Sequence, residues 1–220
     1  EPGYDLSITL NTKEFDETIK YVGIGERPNN FLVSYFMFKE KNAIGNNAYK
    51  NMSAQEYFDH SMMTFEKSLT LLNQSNIDNE SFTSKQNETF QFELLNDLIE
   101  SKVGSEYFSG KSTGIITQYL DKKINSINFK DTLLFKSNYP LKFFISYFTS
   151  GLVANDKNCL NKFENDINEI QKKDVISSLK RGISFYNEEK LEVYYFTLKK
   201  LLGNDNSFQQ IKTKYDQIHQ

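Results

Sequence analysis

Few residues in this chain have types and spacings that could carry chemistry. The stretch Gly110-Lys111-Ser112 ends like a phosphate-binding loop, in which backbone N–H groups and a lysine surround phosphate oxygens. That loop needs four residues between its glycines and a preceding strand, whereas five separate Gly104 from Gly110 and a helical pattern comes before them. Gly23-Ile24-Gly25 matches the first part of the G-x-G-x-x-G/A motif of dinucleotide-binding turns, but Pro28 occupies the position of the third small residue. We therefore expect no bound nucleotide.

The metal-binding and nucleophilic side chains are also scarce. Glu56 and His60 would share one face of a helix, which is half of a metal site, but no second His or Cys lies at ligand spacing. The single cysteine, Cys159, sits on an apolar stripe with Leu160 and Phe163, so we expect a buried, unreactive thiol. The sequence thus predicts a protein without metal or cofactor that is not an enzyme.

Helical periodicity dominates the chain. Ser53 to Glu56 form a capping box in sequence, and apolar residues then recur every three or four positions, which predicts a helix over 54–73. Further helices are predicted over 13–22 after Thr12, over 85–102 ending at Gly104, over 114–126, and in a series from Pro140 onwards in which Asp174 caps one helix. Short strands could lie only at 6–10 and 18–24. Three nearly continuous apolar segments are predicted to be central: Phe31–Phe38, Phe143–Val153 and Leu191–Leu202.

The predicted fold is all-α, with about nine or ten helices in antiparallel hairpins that form an irregular helical array. The connections after residue 139 are short, and short connections make consecutive helices antiparallel. We expect a single domain over 1–220. No apolar run reaches the roughly 18 residues needed to span a bilayer, so no membrane span is expected.

Charge divides the chain into an acidic half, 1–110, with a net charge of −8, and a basic half, 111–220, with +5. Either the halves attract each other, or the acidic half serves a basic protein partner. Nucleic acid is not an expected partner because only 2 of the 26 basic residues are arginines. The candidate partner-binding residues are the acidic stretches of the first half and a tyrosine between carboxylates: Glu14, Asp16, Glu17, Glu56, Tyr57, Asp59, Asp78 and Glu80.

Residues 140–202 resemble a known family in their order of helices and apolar residues. An apolar helix from Phe143 to Tyr147 leads to Asn155-Asp156-Lys157, and an amphipathic helix, a segment from Ser178 to Tyr186 and an apolar pair follow. This order is similar to the immunity protein 49 family, mostly helical bacterial proteins that protect cells from polymorphic toxins. The layout of 31–72 resembles that family's first helix pair. No functional residue is carried over from the family.

The sequence favours a non-enzymatic protein-binding module, and the resemblance implies that this module is an immunity protein that neutralises a cognate bacterial toxin by occlusion. The alternative is a helical-repeat scaffold, or an exported surface or lipoprotein domain that binds another partner. The single cysteine cannot form an internal disulfide, which favours a cytoplasmic location, with an exported or periplasmic one as the alternative.

Overall fold

The residues that the structure describes are mostly helical, with one two-stranded sheet near the start of the chain. The computed structural model describes residues 5–14, 18–44, 51–110, 112–182, 188–203 and 206–218. These residues form nine α-helices, which confirms the all-α prediction. The elements are β1 (Leu6–Thr9), β2 (Lys20–Gly23), α1 (Glu26–Lys41), α2 (Ala54–Gln74), α3 (Glu80–Ser109), α4 (Gly114–Ile124), a 3-10 turn (Leu134–Lys136), α5 (Asn138–Val153), α6 (Lys157–Asn165), α7 (Glu169–Gly182), α8 (Glu188–Leu202) and α9 (Asn206–Ile218).

The sheet replaces a helix that the sequence predicted. β1 and β2 pair antiparallel, with Leu6 opposite Gly23 and Ile8 opposite Tyr21. The outer edge of β2 is held by Asn30 of α1, whose amide accepts a hydrogen bond from the Tyr21 N–H and donates one to the Tyr21 carbonyl, each 2.8 Å long. The predicted helix over 13–22 is therefore wrong from Lys20 onwards, while the two places suggested for short strands are confirmed.

Helices α2 and α3 form a long antiparallel pair. The Ser53 side chain accepts the Glu56 N–H at 3.2 Å and the Glu56 carboxylate accepts the Ser53 N–H at 2.7 Å, so the predicted capping box is confirmed. The predicted end of α3 at Gly104 is wrong, because the helix continues to Ser109. Gly104 is buried in the interior of the helix. A glycine there lowers helix stability by only about 1 kcal/mol relative to alanine, which is too little to end the helix.

The core beside α2 and α3 contains only one side of α1. Phe31, Leu72 and Phe90 are buried together, with Tyr35 and Phe65 packed against them. The adjacent side of α1 faces solvent: Leu32 is 41% exposed and Phe36 52%. The prediction that Phe31–Phe38 forms a central helix is therefore wrong. An apolar helix need not be buried all round when it lies at the edge of a small core.

The second half of the chain is built around the predicted apolar helix α5. Phe143, Phe144, Phe148 and Leu152 are each at most 4% exposed, which confirms its central position. In the described part of α8, Tyr195 and Leu198 are buried, but Phe196 is 52% exposed.

Helix α7 begins earlier than the sequence predicted. It starts at Glu169, where the Asn168 and Gln171 side chains each accept the other's backbone N–H at 2.9 Å. This reciprocal pair works like a capping box. Asp174 therefore lies inside the helix, and its predicted capping role is wrong.

The chain divides into two compact units, residues 1–122 and 123–220, called unit 1 and unit 2 below. Their net charges are −7 and +4, so the acidic and basic halves of the sequence nearly coincide with the units. The expectation of a single domain stays a prediction. Within the described ranges, no helix combines the length and apolar character needed to cross a membrane.

Candidate protein-binding surface

Carboxylates concentrate where the start of α2 faces the middle of α3. The two antiparallel helices are joined by five residues between Gln74 and Glu80, which places Tyr57 opposite Asp97 and Glu100. Tyr57 is half-buried there. Burial, together with the nearby charges of Asp97 and Glu100, raises the pKa of the Tyr57 phenol well above its usual value. The hydroxyl therefore stays protonated and remains a hydrogen-bond donor among carboxylates.

Two predicted residues are close to this tyrosine along the sequence and are exposed, Glu56 one position before it and Asp59 two positions after it. Glu56 occupies the first turn of α2, where a carboxylate also interacts favourably with the helix dipole. Asp59 accepts a hydrogen bond from Gln55 Nε2 at 2.8 Å. We call Glu56, Tyr57, Asp59, Asp97 and Glu100 the Tyr57 acidic surface.

Asn96 supports this surface from inside. It is 3% exposed, and its Nδ2 donates to Glu100 Oε1 at 3.0 Å, which orients that carboxylate. The Asn96 Oδ1 atom is buried and has no hydrogen-bond partner in the part of the chain that the structure describes.

A third carboxylate of α3, that of Glu93, has a structural role, because it contacts α1. It is 9% exposed, accepts a hydrogen bond from the Tyr35 hydroxyl, and lies 3.3 Å from Lys39 Nζ. A buried carboxylate needs such compensation, because desolvation of an unpaired charge is costly. Tyr35 and Lys39 both belong to α1, so this contact fixes α1 on α3 and neutralises the charge of Glu93. Its neighbours Asp97 and Glu100 lie one and two turns further along α3, beside Tyr57.

The other predicted residues lie elsewhere. Asp78 and Glu80 are exposed and follow the C-terminal end of α2. That end is about 30 Å from the start of α2, because the helix has 21 residues. Asp78 forms an ion pair with Arg27 at 2.9 Å, and the same guanidinium donates to the Asn76 carbonyl, so Asp78 helps to attach α1 to the α2–α3 connection. Glu14 is exposed in the turn that follows β1. Asp16 and Glu17 lie outside the described residues.

The position of Tyr57 between carboxylates in the sequence suggests an exposed side chain, but in the structure that side chain is only partly exposed and lies near Asp97 and Glu100 of α3. Asp97, Glu100 and Asn96 were not among the residues predicted from the sequence. The predicted helices over 54–73 and 85–102 leave a connection of eleven residues. In the structure the connection has five residues, which makes α2 and α3 antiparallel and brings residues near 97 to 100 to residue 57.

The described residues show no arrangement suited to a metal ion, since no three or more His, Cys, Asp or Glu side chains converge among them. Cys159 is fully buried, as predicted. Burial, with a smaller contribution from Asp156, raises the pKa of its thiol to about 12. The thiolate, which is the nucleophilic form, is therefore scarce at neutral pH.

Comparison with known proteins gives no relative for this chain: no family model, no curated protein and no solved structure matches it. The resemblance to the immunity protein 49 family stays a prediction.

Proposed function

We propose that this chain is a non-enzymatic binding protein that neutralises a bacterial toxin by covering a basic surface of that toxin with the Tyr57 acidic surface. The observation that carries the proposal is the concentration of carboxylates around Tyr57 in a unit whose net charge is −7. Glu56, Asp59 and Glu100 are exposed, and Asp97 is half-buried near Tyr57.

A basic partner suits such a surface for physical reasons. Proteins that act on nucleic acids hold phosphates in basic grooves, and an acidic protein that covers the groove excludes the substrate. Opposite charges across an interface mainly increase the association rate and the specificity. The neutral Tyr57 hydroxyl adds a hydrogen-bond donor at the centre, while its ring is held against α3 and loses little freedom on binding.

The test removes charge from the surface and keeps its hydrogen bonds. Glu56→Gln preserves an acceptor for the Ser53 N–H, since glutamine also completes a capping box, and Asp59→Asn preserves an acceptor for Gln55. The matched control, Glu164→Gln with Asp174→Asn, removes two exposed carboxylates from unit 2. Both double variants have the same net charge of −1.

The measurements are the association rate with the product of the neighbouring gene, over a range of salt concentrations, and survival of cells that express that product. We expect the Glu56/Asp59 variant to associate at least about threefold more slowly at low salt, with a weaker salt dependence, and the control to match the parent. If association slowed equally in both variants, net charge would explain the effect, and the proposed role of the Tyr57 acidic surface would be wrong. If the parent neither binds nor neutralises the neighbouring product, the toxin assignment is wrong.

A further inference from the structure

Unit 2 exposes a segment in which lysines alternate with apolar side chains. Between residues 130 and 142, Leu133 is 71% exposed, Tyr139 43% and Leu141 37%. Lys130, Lys136 and Lys142 are exposed in the same stretch. We call residues 130–142 the Leu133 segment.

Hydrogen bonds and buried aromatic rings hold the tip of this segment in place. Phe129 and Phe135 flank the tip, are 2% and 5% exposed, and stack on each other with centroids 5.8 Å apart. Between them, Asp131 Oδ1 accepts the backbone N–H groups of Leu133 at 3.0 Å and Leu134 at 3.3 Å. The two rings fix the ends of the turn and Asp131 fixes its middle, so the exposed position of the Leu133 side chain follows from the fold.

The charge of the Leu133 segment is positive. Asp131 is its single acidic residue, and its carboxylate is occupied by the backbone of the turn. Neither Lys130 nor Lys136 forms an ion pair within the described residues. Unit 2 as a whole carries +4, so no excess of acidic residues offsets these lysines.

We propose that the Leu133 segment binds the surface of an anionic lipid bilayer, with Leu133 in the headgroup boundary and the lysines on the headgroups. Apolar side chains presented among lysines suit this surface, because burial of apolar area and attraction to anionic lipid act together there. Tyr139 belongs to a residue type that is enriched at the membrane interface. Nucleic acid fits less well, since leucine does not stack on bases and the segment contains no arginine. This binding is peripheral and independent of the proposed toxin interaction, which uses unit 1.

The first experiment measures co-sedimentation of the full chain with vesicles. One vesicle preparation is pure phosphatidylcholine and the other contains about 40% phosphatidylserine, a strongly anionic composition. We expect binding only to the anionic vesicles, with a loss of binding at high salt. Lys130→Gln with Lys136→Gln should lower the partition coefficient by about tenfold or more. Lys157→Gln with Lys173→Gln removes two other exposed lysines of unit 2 as the control and should cause a clearly smaller decrease.

The absence of tryptophan from the chain allows a second, site-specific measurement. Leu133→Trp places a single indole at the tip, and its fluorescence should shift to the blue and increase with anionic vesicles. Ile170→Trp is the matched control, because Ile170 is 73% exposed and lies outside the Leu133 segment. It should show no shift.

Four results would overturn the proposal: no binding to anionic vesicles, equal binding to both vesicle types, equal losses in the two lysine variants, or equal shifts at positions 133 and 170. Binding of duplex DNA through Lys130 and Lys136 without vesicle binding would also overturn it and would assign the segment to nucleic acid.

Discussion

Two phenylalanines of the same helix should differ sharply in their contribution to stability. Phe31 is 3% exposed and its ring centroid lies 5.9 Å from that of Tyr35 and 6.0 Å from that of Phe82. Phe31→Ala should therefore lower the free energy of unfolding by about 3–5 kcal/mol, the range for a buried aromatic side chain. Phe36, five residues later, is 52% exposed. Since about half of its surface is already in water, Phe36→Ala should lower the free energy of unfolding by only about 1 kcal/mol.

Urea unfolding followed by far-ultraviolet circular dichroism measures this difference. Both variants change the same residue type in α1 of unit 1, so the position of the side chain is the main variable. The two units can unfold in separate transitions, and the comparison then uses the transition that the Phe31 variant moves. Equal costs for the two variants would refute the placement of α1 at the edge of the core and would restore the central helix predicted from its sequence.

Other substitutions test packing in unit 2. A methyl group at Gly151 would lie 2.6 Å from Cys159 Cβ, so Gly151→Ala should lower the free energy of unfolding by about 1–3 kcal/mol. A methyl group at Gly114, the control position in unit 1, would meet no atom within 4 Å, so Gly114→Ala should not destabilise. The Cys159 thiol should resist a disulfide reagent at pH 9 until the chain unfolds. Its pKa is raised from 9.0 to about 12, so its contribution to stability is complete below pH 9 and is lost as the pH rises towards 12. Phe144→Ala should cost about 3–5 kcal/mol, because Phe144 is 1% exposed.

The elements predicted correctly are those determined by local interactions. The α2 capping box needs only Ser53 and Glu56, and both hydrogen bonds form as the spacing predicts. The start of α7 was missed although its signal is equally local, because Asn168 and Gln171 make the same reciprocal pair with amides. An asparagine at the N-cap with a glutamine three residues later therefore marks a helix start here in the same way as Ser53 and Glu56 do.

Other wrong predictions concern features that depend on tertiary contacts. β2 is held by the side chain of Asn30, a contact that no property of residues 18–24 reveals. Helix α1 is apolar on both sides, and periodicity cannot tell which side meets the core. Part of the Tyr57 acidic surface was predicted: Glu56, Tyr57 and Asp59 follow from the charges along the sequence, whereas Asp97 and Glu100 come near Tyr57 only through the pairing of α2 with α3.

The two proposed surfaces lie in different units with opposite net charges, which makes them separable by experiment. Glu56→Gln with Asp59→Asn changes only unit 1, so it should leave the vesicle partition coefficient within about twofold, the small change expected from a two-charge shift in net charge alone. Lys130→Gln with Lys136→Gln changes only unit 2, so it should leave the low-salt association rate with the basic partner similarly unchanged. Each pair thus controls for the other. If either pair altered both measurements strongly, a single interaction governed by total charge would explain the data, and the assignment of one surface to each unit would be wrong.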